Sequence, residues 1–399
     1  MGSIALYKEG HLLYSNAVGQ VDGTNDRKPD RNTDYRIGSI TKTFTSVLIL
    51  QAVEKGKLRL EDTLSKWYPQ VKNAGRITIR QMLTHQSGIA NFTNSAEYLK
   101  WNTFPQSKEE MVRRIVNEGS SFPPGQKFEY SNSAYFLLGL ILEQVHNRSY
   151  QVLLKRGIIR PAQLKHTTYG GKIDLSKNEC RSFRFDSSWV VADETDMSVP
   201  FSAGAIISTP SDICHFAEWL FSGQALSEKS LKEMQTMKEN VGMGLFAIPF
   251  FSRQGYGHTG GIDEFRTVYA YFPDGKVSYA LFSNGSTYNN NDITIAVLKA
   301  AYGLEFTLPD FSEKKLPQDE LNKFLGVYAS AQIPIKITFT SKNGRLVSQG
   351  SGQPAFELDP SGTNVFTLER FGIHLEFIPE KEQMVLKQAG QIFLFTKEK

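Results

Sequence analysis

The chain has 399 residues, 40% of them hydrophobic and 22% charged, an ordinary balance for a globular protein. Lys and Arg number 45 against 41 Asp and Glu, a net charge of +4 with both signs interspersed. This argues against a nucleic-acid groove or an anionic-membrane patch. The length exceeds one typical core, so two or three domains are expected.

In chain order, residues 3–7 and 11–14 flank Lys8-Glu9-Gly10 and predict an opening β-hairpin, continued over 17–21 and followed by a polar loop over 22–33. An apolar helix begins near Ser39 and stops at Lys55-Gly56. Residues 77–83 predict a helix leading into Thr84-His85-Gln86-Ser87-Gly88, and 109–118 a short charged helix. The hard turn Phe122-Pro123-Pro124-Gly125 delivers Tyr130-Ser131-Asn132 to the start of another helix, 133–145. Thr209-Pro210-Ser211-Asp212 starts a helix with Ile213, Phe216, Ala217 and Leu220 on one face. Strands are predicted over 242–249, 257–258, 265–272 and 277–284, the last two joined by Pro273-Asp274-Gly275-Lys276, and a closing helix over 293–302.

Composition shifts near Leu308-Pro309. Beyond a short helix over 318–325 come about eight short alternating strands in about eighty residues, with turns at Asn343-Gly344, Ser361-Gly362 and Ala389-Gly390, which predicts a separate β-barrel or sandwich. The boundary is placed at 309/310.

The longest apolar stretch, 134–142, is too short to span a bilayer, so no transmembrane segment is expected. Lys8, Glu9 and His11 interrupt the only apolar N-terminal region, and no secretory signal is visible. Cys180 and Cys214 suit two buried free thiols, with a single bridge as the alternative. No metal-binding spacing and no phosphate-cradling loop occurs, so neither metal nor cofactor is expected.

Three segments carry candidate chemistry. Ser39 and Lys42 lie three apart at a helix start, where an amine reaches a hydroxyl on the same face. The helix dipole and burial lower the lysine pKa, and a neutral amine activates serine for attack on a carbonyl. The bland alternative is a helix cap, and Ser312-Glu313-Lys314-Lys315 has the same spacing. Tyr130 and Asn132, two apart before a helix, can face one pocket, the phenol losing its proton more readily near cations and the amide offering donor and acceptor. Tyr14-Ser15-Asn16 and Tyr288-Asn289-Asn290 share that pattern without the setting. His258-Thr259-Gly260-Gly261 reads as a turn between strands whose glycines admit a ligand and free backbone N–H groups for an oxyanion. His85 reads as a satisfied structural histidine.

Taken in this order, Ser39-x-x-Lys42, Tyr130-x-Asn132 and His258-Thr259-Gly260 resemble the penicillin-binding-protein and class C β-lactamase superfamily of serine hydrolases. The segments 37–42 and 83–88 and Pro124-Gly125 look like that family too. The likeness covers roughly residues 3–303, with a looser likeness of the tail to a lipocalin-like domain. It implies an α/β (α+β) β-lactamase-like fold: a mainly antiparallel sheet flanked by helices, and a helical lobe over roughly 58–205. A small all-β domain would follow from 310 to 399.

The resemblance further implies Ser39 as nucleophile, Lys42 as proton acceptor and Tyr130 as proton shuttle. Asn132 would hold the substrate amide, and His258, Thr259 and Gly260 would line the substrate's polar end. The backbone N–H groups of Ser39 and Gly261 would form the oxyanion hole. Family members that recognise penicillins usually carry lysine where His258 stands. A histidine, with an ordinary pKa of about 6.5, attracts a carboxylate less. That moves expectation toward D-amino-acid peptides, amides or esters, with a β-lactamase, a slowly acylated penicillin-binding sensor and an acyltransferase as alternatives. The implied partner is a small-molecule or peptide substrate, and nothing here indicates an oligomeric state. The kinship implies a periplasmic or secreted location, with a cytoplasmic one still open.

Overall fold

Alternation in the first seven residues sets the sheet. Ala5 and Tyr7 enter one apolar core while Leu6 enters another, so the strand Gly2–Lys8 (β1) is covered on both faces. A computed structural model describes residues 1–399 apart from 25–26, 187, 289, 309–314, 354, 369–371, 389–390 and 399. Strand β1 pairs with His11–Val18 (β2) and with Val277–Ser283, in antiparallel fashion. The strands Phe246–Phe250 (β3), Arg253–Ile262 (β4), Phe265–Phe272 (β5) and Val277–Ser283 (β6) complete a six-stranded sheet in the order β2-β1-β6-β5-β4-β3.

One face packs against the helices Thr41–Glu54 (α1) and Pro210–Phe221 (α3), where Phe44 stacks on Phe216 with ring centroids 3.8 Å apart. On the other face Leu298 and Ala301 of Asn290–Ala301 (α4) join Leu6, Phe272 and Tyr279. Between α1 and α3 in sequence lies a stretch of helices and loops that also carries the short strands Thr168–Tyr169, Phe183–Asp186, Ser188–Val191 and Ile206–Ser208, so it is less helical than expected. It holds Lys108–Glu118, capped by Ser107, and Asn132–His146 (α2), capped by Ser131 and ended by Asn147 in the left-handed region.

The chain divides into two compact units. The first comprises Met1–Asn290 and Val297–Phe306, the second Asn291–Ala296 and Thr307–Lys399. In the second, eight strands from Gly326–Ala329 to Gln391–Lys397 form a closed barrel, sealed by pairing of Tyr328 with Lys397. Its interior is filled by side chains such as Tyr328, Phe339, Phe366, Phe377 and Phe395. The expected boundary at 309/310, the Ser312–Lys315 spacing, Asn289 and the Ala389-Gly390 turn fall wholly or partly outside the described residues.

Several expectations need correction. His258-Thr259-Gly260-Gly261 is not a turn but the second half of the ten-residue strand β4. Ser39 lies in a 3-10 turn, Gly38–Ile40, that precedes α1 rather than in its first α-helical turn. The helix after 317 is one turn, Gln318–Leu321. Cys180 and Cys214, by contrast, are as expected both free and buried. Among the described residues no helix is long and apolar enough to cross a membrane.

Candidate active site

Helix α1 is buried over nearly its whole length, so its lysine is carried into the core with it. Lys42 Nζ lies 2.9 Å from Ser39 Oγ, 2.7 Å from Asn132 Oδ1 and 2.8 Å from the Ala203 carbonyl oxygen. Among the described residues no carboxylate pairs with it, and burial drives its pKa well below the usual lysine value. A neutral amine has two N–H bonds and one lone pair. Asn132 Oδ1 and the Ala203 carbonyl can only accept, so they take both N–H bonds and leave the lone pair for the Ser39 hydroxyl.

Tyr130 reaches the same oxygen, its phenol hydrogen-bonded to the Ser39 side chain, and its ring centroid lies 4.8 Å from Lys42 Nζ. Burial pushes its pKa up, against the expectation of easier deprotonation. Burial thus favours Tyr130 as the phenol rather than the phenolate. Its ring stacks on His85, centroids 4.3 Å apart. His85 is buried with φ 54°, and its Nδ1 accepts from the Ser131 N–H at 3.1 Å. The histidine therefore positions the Tyr130 loop from behind. Asn132 is held from two sides, its N–H donating to Asn91 Oδ1 at 3.0 Å and its Nδ2 to Thr93 Oγ1 at 3.2 Å.

The third segment closes over the Ser39 turn from the edge of β4. A Cβ on Gly260 would overlap the Ile37 carbonyl oxygen, which also accepts from Thr267 Oγ1 at 2.9 Å. Gly38 has φ +52°, and a Cβ there would lie 3.0 Å from the Gly261 nitrogen. Glycines on both sides thus let two backbones touch, placing the Gly261 amide beside the turn that carries Ser39. Thr259 is exposed. His258 is buried, its ring centroid 6.4 Å from that of Tyr130 and 4.8 Å from that of Phe246, and its Nδ1 contacts the Thr259 carbonyl oxygen at 2.5 Å. Burial is the main cause that lowers its pKa to about 3, so the ring carries no charge near neutrality.

The structure thus brings Ser39, Lys42, Tyr130, Asn132, His258 and the Gly260-Gly261 backbone together from three distant stretches. The Tyr14-Ser15-Asn16 copy lies on the exposed strand β2, where Asn16 Nδ2 donates to its own neighbour Tyr14. In the same chain, the sequence model of the beta-lactamase family matches residues 2–303. The chain belongs to the beta-lactamase family.

Among curated relatives of this beta-lactamase-family chain is penicillin-binding protein 4* of Bacillus subtilis, 26% identical, with 94% of this chain and 89% of the relative aligned. Among solved structures, a D-stereospecific amidohydrolase from Streptomyces is 25% identical with a TM-score of 0.65, covering 75% of this chain and 93% of that one. An octameric penicillin-binding protein homologue from Pyrococcus abyssi shares the fold over 99% of this chain and 95% of its own, with a TM-score of 0.71 at 22% identity.

Sequence reading missed the supports of this family site. Arg36, buried, donates to Asp263 Oδ2 at 2.9 Å, Glu194 Oε1 at 2.5 Å and the carbonyls of Thr195 and Gly171. It stands three residues before Ser39, and Asp263 two after Gly261. Only an arginine beside the nucleophile motif and an acid beside the glycine pair hinted at it.

Proposed function

We propose that the chain is a serine acyl hydrolase that acts through a Ser39 acyl-enzyme on amides or peptides of D-amino-acid type, or on esters. The observation that carries this reading is the buried Lys42 Nζ, 2.9 Å from Ser39 Oγ, with Asn132 Oδ1 and the Ala203 carbonyl oxygen as its other partners and burial holding its pKa down. Lys42 takes the Ser39 proton as Oγ bonds to the substrate carbonyl carbon, and the oxyanion settles on the N–H groups of Ser39 and Gly261. The leaving amine or alcohol receives a proton through the Tyr130 hydroxyl, which recovers one from Lys42. Water then attacks the acyl-enzyme, with the same groups removing its proton. Asn132 orients the substrate amide through the Nδ2 hydrogen not given to Thr93.

The uncharged His258 supports a preference for substrates without a carboxylate at that end, because no cation is offered there. The likeness to a D-stereospecific amidohydrolase supports the amide class. The test is a panel of D-alanine amide, a D-alanyl dipeptide, a short p-nitrophenyl ester and a chromogenic cephalosporin, run on wild type and Ser39→Ala. Turnover of the amide and ester but not the cephalosporin, lost in Ser39→Ala, is expected. Retained turnover in the folded variant refutes Ser39 as nucleophile, and a cephalosporin preference refutes the substrate class.

A further inference from the structure

A second cavity lies at the far end of α1 from Ser39, with a volume of about 240 Å³. Four basic side chains line it: Lys55 after α1, His146 and Arg148 at the end of α2, and Arg156. The walls between them are apolar, made by Leu48, Leu142, Val152 and Leu153. Among the described residues no Asp or Glu lines it.

Two features make this more than a solvated basic patch. The first is ion pairing. Lys108, Arg113 and Arg80 elsewhere on this unit are paired with carboxylates, whereas among the described residues Lys55, Arg148 and Arg156 take part in no salt bridge. The acids beside them in sequence are engaged away from the cavity. Glu54 accepts from the Ser227 N–H, and Glu143 from the Tyr150 N–H and Lys108. After burial, Lys57 and Lys55 hold the His146 pKa down, which marks the local field as positive.

The second feature is the built wall. Residues Lys155–Ile159 form a π-helical turn, a widened geometry that recurs at functional sites. Gln51 fastens it, donating from Nε2 to the Gly157 carbonyl at 3.2 Å. A Cβ on Gly157 would crowd Leu48, 2.7 Å away, so the turn sits directly on α1.

We propose that this cavity binds a small amphiphilic anion, a phosphate or carboxylate head held by Arg148, Arg156 and Lys55 with a short alkyl chain against the half-buried Val152 and Leu153. Guanidinium groups suit such a head because they bind it through paired N–H bonds. The claim is independent of the hydrolase reading.

Calorimetric titration of the full chain with hexyl phosphate tests it, with inorganic phosphate, hexanol and hexylammonium as controls. Hexyl phosphate should bind more tightly than inorganic phosphate, and the neutral and cationic analogues should not bind. Arg148→Ala and Arg156→Ala, both at exposed positions, should each weaken it by about tenfold, and Val152→Asn should weaken hexyl phosphate but not inorganic phosphate. A parallel arm uses vesicles of phosphatidylglycerol. No heat with hexyl phosphate, equal affinity for inorganic phosphate, or affinity unchanged in both arginine variants overturns the proposal. So does vesicle binding without hexyl phosphate binding, because it would mark a flat membrane-facing surface instead of a cavity.

Discussion

Arg36 and Asp263, 227 residues apart in sequence, form a buried ion pair of 2.9 Å that joins the strand leading into the Ser39 turn to the hairpin following Gly261. The turn that carries Ser39 and the strand end that carries Gly261 are thereby held by one guanidinium. Asp263 Oδ1 also accepts from the Thr195 N–H at 3.0 Å, so the loop before 196 is tied to the same point.

Breaking that pair should cost far more than an exposed one. Both side chains are at most 3% exposed. Asp263→Ala leaves a buried guanidinium short of one acid and is expected to destabilise the protein by about 3–5 kcal/mol. Urea unfolding followed by fluorescence measures it. A loss like that of an exposed pair, such as Lys100→Ala, would mean the clamp is not a structural keystone.

Lys42→Ala should leave the fold intact and slow acylation of a p-nitrophenyl ester by about 10²–10⁴-fold, the range for loss of a general base. Stopped-flow acylation separates this from hydrolysis of the acyl-enzyme. In the wild type the sign is set by the lowered pKa. Lys42 is a base only while uncharged, so activity should be lost as pH falls through its depressed folded value. A profile that rises only near the ordinary lysine pKa would contradict the neutral amine.

Much of this centre is legible in sequence because its chemistry restricts residue types: serine and lysine three apart, tyrosine and asparagine two apart, a glycine pair beside a histidine. The supports are not legible in the same way. Arg36 with Asp263, Asn132 with Asn91, and Tyr130 with His85 are partners that tertiary packing alone brings together. The glycine run 260–261 is misread as a turn for a related reason. Glycines interrupt a strand pattern where another backbone approaches, and here that backbone is the Ile37 carbonyl. The barrel is predicted from turn spacing, but that its interior is packed with aromatic side chains emerges only from the closed sheet.

His258 predicts acid sensitivity. Its folded pKa, about 3, lies below the unfolded value near 6.5, so its contribution is fully present above that value and is lost as pH falls toward 3. His85 shifts the same way through burial. Between pH 7 and 5 the His258 contribution alone is on the order of 2 kcal/mol. Stability of His258→Gln should therefore fall less steeply than wild type over that interval, and parallel slopes would show that the histidine titrates normally.

Asp34 works in the opposite direction. Burial, then Glu179, Asp212 and Asp30, raise its pKa to about 8, and among the described residues its Oδ1 has no hydrogen-bond partner. The raised value means its contribution is present below the unfolded value near 3.8 and is lost as pH rises to about 8. Asp34→Asn removes that charge. It should raise the melting temperature at pH 8.5 and leave it nearly unchanged at pH 4; the reverse order would show that His166, 3.7 Å away, holds the carboxylate charged.

Neighbouring glycines should behave oppositely. A methyl on Gly260 meets the Ile37 carbonyl oxygen and Thr267 Oγ1, neither of which can move without lifting the β4 edge off the Ser39 turn. A methyl on Gly261 has only Arg266 Nη1, 3.8 Å away, within ordinary contact distance. Gly260→Ala is therefore expected to lose about 1–3 kcal/mol through overpacking. Displacing the Gly261 amide with it should reduce kcat by about 10²–10³, the range for one lost oxyanion donor. Gly261→Ala should keep wild-type stability and most of its activity, since its amide stays in place. Melting curves and ester hydrolysis on the two variants decide it, and equal behaviour would mean that the β4 edge does not form the oxyanion hole.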